Sequence, residues 1–147
     1  LELAGGVTTG RKLKAVIPGG SSVPVLPGED MMNANMDYDS IKQAGSMLGS
    51  GAVVMMDEDT NLVSAAKSIV SFFAHESCGK CYPCQLGTQR QYEILHRVVR
   101  GKVKRGDKER LLDVGWTMTD ASLCGLGQTA ATAVISAMDK WPDLIED

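Results

Sequence analysis

Three of the four cysteines fall within one short segment, Ser77-Cys78-Gly79-Lys80-Cys81-Tyr82-Pro83-Cys84, and the fourth, Cys124, stands alone downstream. A C-x2-C-x2-C spacing lets one short loop wrap three thiolates around a single face of a compact inorganic group. Gly79 admits backbone conformations that a Cβ would oppose. The loop leads into a helix expected to begin near Pro83, a favoured first-turn residue. The free N–H groups of a helix start favour the negative charge of a thiolate-ligated cluster. Three ligands leave one iron of a [4Fe–4S] cubane vacant, and Cys124 is the only remaining thiol, so the count closes at four. A second cluster is not expected: no further cysteine followed by proline comes soon after the third. A zinc site with four cysteine ligands is the main rival, although zinc usually takes two C-x2-C knuckles on separate loops. Disulfides or free thiols are a third reading. Ligand softness and spacing favour iron–sulfur over both.

Charge and hydropathy narrow the setting. A net charge of -3 gives no reason to expect nucleic acid or an anionic membrane as partner. No apolar run approaches the ~20 residues that span a bilayer, so direct membrane insertion is not expected. The opening Leu1-Glu2-Leu3-Ala4-Gly5-Gly6 lacks a basic region followed by an apolar stretch. A reduced, cytoplasmic setting follows as the expectation, and there cysteine clusters bind metals. The Gly5-Gly6 turn arrives before any full element, so the opening reads as the middle of a longer polypeptide.

The pattern of elements predicts an α+β chain in two parts. Residues 1–58 read as a small α+β module. Lys14 to Ile17 and Val23 to Leu26 are short extended stretches, broken by Pro18-Gly19-Gly20 and by Pro27-Gly28. Met31 to Tyr38 reads as loop, Asp39 as the cap of a helix running to about Leu48, and Ala52 to Met56 as a buried strand. Residues 59–147 read as helical. Asp59 or Thr60 caps a first helix with Leu62, Val63, Ala66, Ile69, Val70 and Phe73 on its apolar side. A second starts near Pro83 and ends at Gly101, a third opens at Asp107, and a fourth runs from about Leu126 to Trp141-Pro142. Four helices on short links suggest a bundle.

Ala74-His75-Glu76-Ser77-Cys78-Gly79, with Cys81, Pro83, Cys84, Gly87 and Thr88, resembles the NADH-oxidising flavoprotein subunit of respiratory complex I and of related NAD-dependent hydrogenases and formate dehydrogenases. The resemblance extends to Ile17 through Ser22, Met36 through Ser40, Gly45 through Gly51, and Leu123-Cys124-Gly125-Leu126-Gly127-Gln128-Thr129-Ala130. It covers nearly the whole chain in the right order. It implies a partial β-grasp-like module over 1–58 and a four-helix bundle over 59–147 that carries one [4Fe–4S] cluster on Cys78, Cys81, Cys84 and Cys124. It also implies FMN and NAD(H) in an N-terminal half that these residues lack. NADH would give a hydride to the flavin, and electrons would pass singly through the cluster to iron–sulfur centres of partner subunits. The complex would be cytoplasmic or peripheral on the inner face of a membrane. Gly125 and Gln128-Thr129 look more like the hydrogenase and formate dehydrogenase branch. Gln85 departs from the arginine that many relatives carry after the third cysteine, which would tend to lower the cluster potential.

Other residues have plainer readings. With four thiols filling the ligand set, His75 is expected to be packed or hydrogen-bonded, not a ligand. His96 is expected to face solvent. Lys80 and Tyr82 either tune the cluster or are ordinary loop residues. The basic run Arg97, Arg100, Lys102, Lys104, Arg105, Lys108 and Arg110 reads as a solvated surface around a helix link. No Ser/His/Asp or Cys/His constellation supports hydrolytic or nucleophilic catalysis.

Overall fold

The computed structural model describes residues 6–7 and 10–146. The expected Gly5-Gly6 turn therefore lies partly outside the described residues. The chain divides into two compact units between Thr60 and Asn61.

The first unit is a three-stranded antiparallel sheet with two short helices. Strand β1 (Leu13–Ile17) is central, flanked by β2 (Leu26–Pro27) and β3 (Val54–Asp57). Val16 pairs with Leu26 on one side and Met55 on the other. Pro27 sits in an edge strand, where its missing N–H costs no ladder bond. Helices α1 (Gly28–Met32) and α2 (Tyr38–Gln43) follow β2. The core joins Val16, Leu26, Met31 and Ile41.

Three expectations change here. Met31 is not loop: it lies in α1 and is buried. Asp37, not Asp39, caps α2. Its carboxylate accepts from the Ser40 N–H at 2.7 Å and from the Ser40 hydroxyl at 2.9 Å. The helix ends at Gln43, well short of Leu48. The apolar run from Ala52 to Met56 is not a buried strand. It becomes an edge, with Val53 and Val54 nearly half exposed and Met56 alone buried. A continuous apolar run does not reveal which strand ends up at an edge, because that follows from pairing order. Segments 17–22 and 45–51 meet in this unit: the Ser50 N–H donates to Gly19 O at 3.0 Å, and nearby the Gly20 N–H donates to Ala52 O at 2.8 Å.

The second unit is helical: α3 (Leu62–Glu76), α4 (Tyr82–Val99), α5 (Asp107–Ala121), the short α6 (Gly125–Thr129), α7 (Thr132–Lys140) and a 3-10 turn at Pro142–Leu144. Asn61 caps α3 through its Oδ1 and the Ser64 N–H at 2.8 Å, in place of the expected Asp59 or Thr60. The expected fourth helix is two helices, broken at Ala130 and Ala131. Both alanines are buried, and they pack with Phe73 and Met118. The main core gathers Val63, Val70, Ile94, Leu95, Leu111, Val134 and Met138 from α3, α4, α5 and α7. Gln91 is buried and ties α4 to α5 by donating to Leu111 O at 3.1 Å.

The reversal between α4 and α5 is held by a fully buried carboxylate. Asp107, the first residue of α5, receives Arg97 from α4, Arg110 at 3.1 Å from its own helix, and the Lys104 N–H at 2.9 Å. Two members of the basic run are thus clamped rather than freely solvated, and Lys108 Nζ donates to Pro142 O. Burial alone would push the Asp107 carboxyl up. The Lys104 N–H and the Arg97 and Arg110 guanidiniums outweigh burial and hold it below the ordinary carboxylate value.

Breaking a buried pair leaves uncompensated charge, so Asp107→Ala is expected to cost roughly 3 kcal/mol at neutral pH, read by denaturant unfolding. A carboxyl with a folded-state pKa below the unfolded value of about 3.9 contributes stability above that pH and loses it as pH falls through the folded value. Acid unfolding followed by circular dichroism is expected to show this loss below about pH 4 in the wild type, and a shallower slope in Asp107→Ala.

Candidate metal centre

The cysteine loop lies between two long helices. Ser77 ends α3, with its N–H donating to Phe73 O at 3.0 Å. Gly79 adopts φ +73°, which a side chain would strain, so the chain can turn between Cys78 and Cys81. Cys81 is the N-cap of α4, and Cys84 sits in that helix's first turn. Cys124 is likewise the N-cap of α6. At neither helix start does a side chain accept from the free N–H groups, and Pro83 removes one donor that would need a partner.

The approach of α6 brings the distant cysteine's helix to the third cysteine. Gly127 is buried against α4, and a Cβ there would collide with Ser122 Oγ and come within 2.8 Å of Cys84 Cβ. Only glycine allows this contact. The α6 turn is fixed further by Gln128 Nε2, which donates to Ser122 O at 3.1 Å. Burial is graded across the thiols: Cys84 is buried, Cys81 half-buried, Cys78 and Cys124 exposed, and all four are free rather than disulfide-bonded. Thr88 is fully buried one turn beyond Cys84, and its hydroxyl donates to Cys84 O at 2.8 Å.

The four thiols are the donor type and number that an all-cysteine [4Fe–4S] cluster uses. Among the described residues, no three His, Cys, Asp or Glu side chains are grouped closely enough to hold a metal ion as they stand. A cubane holds its thiolates farther apart than one tetrahedral zinc does, and an all-cysteine set of four is what it needs. Two further features suit a sulfur-rich anionic group. Ser77 Oγ lies 3.3 Å from Cys84 Sγ. Ser122 Oγ is buried beside Gly127 with no hydrogen-bond partner. Ser77 stands in the cysteine motif, but the sequence assigns its hydroxyl no role and does not single out Ser122, since a hydroxyl's partner seven residues away cannot be read from spacing alone.

The histidines differ from expectation. His75 is exposed on the last turn of α3 instead of packed. His96 is half-buried and stacks on Tyr92 with ring centroids 5.5 Å apart. Gln85 lies over the cysteine loop, its amide about van der Waals distance from the Cβ position of Gly79. Lys80 is exposed.

Large apolar side chains are exposed on the segments that carry the cysteines. Phe72, Tyr82, Leu86 and Leu123 are each more than half exposed. Tyr82, Pro83 and Leu86 line one side of a groove of about 440 Å³, with Val114 and Thr117 of α5 on the other. Among the described residues, no helix is long and apolar enough to cross a membrane.

Residues 64–147 match the family described as the NADH-ubiquinone oxidoreductase-F iron-sulfur binding region. The chain is 41% identical over 145 residues to the NADP-reducing hydrogenase subunit HndC of Solidesulfovibrio fructosivorans, a match that covers 99% of this chain and 29% of that protein. It is 45% identical over 137 residues to an NADH-quinone oxidoreductase subunit of Rhizobium meliloti, covering 93% of this chain and 32% of the relative. The chain thus spans about a third of the length of these relatives. An NAD+-reducing [NiFe]-hydrogenase crystallised in the H2-reduced state has a similar fold, with a TM-score of 0.80 and 28% identity over 91% of this chain and 23% of that one. The chain therefore belongs to the NADH-ubiquinone oxidoreductase-F iron–sulfur binding family, whose cofactor is a [4Fe–4S] cluster.

Proposed function

We propose that Cys78, Cys81, Cys84 and Cys124 ligate one [4Fe–4S] cluster, and that this segment relays electrons within an NAD-linked oxidoreductase. The observation that carries the reading is the contact of Gly127 with Cys84, which sets the helix capped by Cys124 against the helix that carries Cys81 and Cys84. A bound [4Fe–4S] cluster supplies one-electron storage at a potential set by its surroundings. The residues present do the rest. The two cysteine-capped helix starts offer free N–H groups to its negative charge. Buried Cys84 and Thr88 keep water from its inner side, whereas exposed Cys78 and Cys124 leave an outer side open to an electron partner.

The wider reading follows the relatives. Residues 1–58 act as a partial β-grasp-like module and residues 59–147 as a four-helix bundle. Electrons pass between FMN and NAD(H), held elsewhere in the enzyme, and iron–sulfur centres of partner subunits in a complex of hydrogenase, formate dehydrogenase or complex I type. The exposed Tyr82, Leu86 and Leu123 support the docking of a neighbouring subunit beside the cysteines. The complex works in the cytoplasm or against the inner face of a membrane.

Anaerobically purified protein is expected to contain about four irons per chain, no stoichiometric zinc, and an EPR signal after dithionite reduction. Cys124→Ser is expected to lose or convert the cluster, and His75→Ala to retain it. One zinc and no iron would move the role to a structural one. Gly127→Ala is expected to lower iron occupancy several-fold, because overpacking of roughly 1–3 kcal/mol falls on the α4–α6 contact. Iron analysis of the folded protein measures this.

A further inference from the structure

We infer that Ser77 is a positioning residue for the cluster: its hydroxyl donates a hydrogen bond to the Cys84 sulfur and raises the cluster's reduction potential. The inference rests on the ligand set proposed above. Ser77 Oγ and Cys84 Sγ are 3.3 Å apart, and by geometry either could donate. Ligation removes the ambiguity. A metal-bound thiolate carries no proton, so the hydroxyl becomes the donor and sulfur the acceptor.

The contact is fixed by packing, not by a mobile loop. Ser77 closes α3, whose Phe73 is buried with Met118, Ala130 and Ala131. Cys84 is held in the first turn of α4, and α4 packs along α3. The usual local partner for a helical hydroxyl is the carbonyl four residues back. Ser68, Thr117 and Thr129 all make that bond. Ser77 is instead the extended C-cap of α3 and makes no such back-bond; its hydroxyl turns to Cys84.

The sign of the effect follows from charge. Reduction adds an electron, and the cluster sulfurs share it. A donor aimed at one of them therefore stabilises the reduced form more than the oxidised form, and hydrogen bonds to sulfur are among the factors that set cluster potential. Cys84 is buried, where a dipole is weakly screened. Ser77 thereby acts against the lowering expected from Gln85 at the neighbouring position.

The test is an EPR-monitored redox titration of the full, cluster-loaded chain, with iron content measured on the same samples. Ser77→Ala is expected to retain its iron and shift the potential downward. At the wild-type midpoint the reduced-to-oxidised ratio should fall by up to about tenfold, which is ~59 mV for one electron. Ser77→Thr keeps the hydroxyl and is expected to restore most of the shift. Ser77→Val matches threonine in shape and is expected to behave like Ser77→Ala. If alanine impairs loading, the Ser77→Thr and Ser77→Val pair makes the same comparison at constant side-chain volume. An unchanged midpoint in Ser77→Ala, or equal midpoints in the Ser77→Thr and Ser77→Val variants, overturns the inference while leaving the ligand set standing. Wild-type protein that holds no iron overturns the ligand set, and this inference with it.

Discussion

The second unit depends on a buried negative charge at a helix reversal. Asp107 takes no position in the cysteine site, yet α5 cannot return along α4 unless the link between them is closed, and its carboxylate closes it. It gathers a guanidinium from the end of α4, another from the first turn of α5, and a backbone N–H from the link itself. A carboxylate with no exposed surface is costly unless it is fully paired. Here the pairing comes from three points along the chain, so satisfying one charge fixes the path of the link. The direction of α5, and with it the place where Ser122 and Cys124 emerge, follows from that closure.

The second constraint is steric. Cys84 and Cys124 are 40 residues apart in sequence, and only a close helix approach brings their elements together. The α6 backbone can sit against the first turn of α4 because Gly127 has no side chain there. The helix break at Ala130 and Ala131 serves the same arrangement. A continuous fourth helix would run on in one direction, whereas the break lets α6 lie against α4 and α5 while α7 returns to the core beside Val63 and Val70. The buried alanines are small enough to admit Phe73 and Met118 at the corner.

The two serines beside the cysteines come from parts of the chain with unrelated local roles. Ser77 is a helix C-cap and Ser122 another, each with a backbone N–H bonded to the turn before it. Their hydroxyls are left over from that work. One reaches the Cys84 sulfur and the other is buried beside Gly127 without a partner. Large aromatic and aliphatic side chains are exposed on the same segments.

The local elements of this protein are legible in its sequence wherever local physics decides them. The 3.6-residue periodicity of Leu62 through Phe73, the proline at the start of α4, the glycine at Gly79 and the aspartate opening α5 all act within one turn of chain, so their elements can be read without tertiary information. The cysteine spacing belongs to the same class, because a single loop presents three thiols. What only the tertiary structure decided are matters of partner choice across distance. The apolar run ending at Met56 became an edge strand because β1 paired as the centre of the sheet. The cap of α2 fell to Asp37 and that of α3 to Asn61, since several neighbouring residues could cap equally well and backbone geometry selected one. The basic run hid two clamped arginines, and Ser77 hid a sulfur contact, because composition shows which groups can pair but not which ones folding brings within reach.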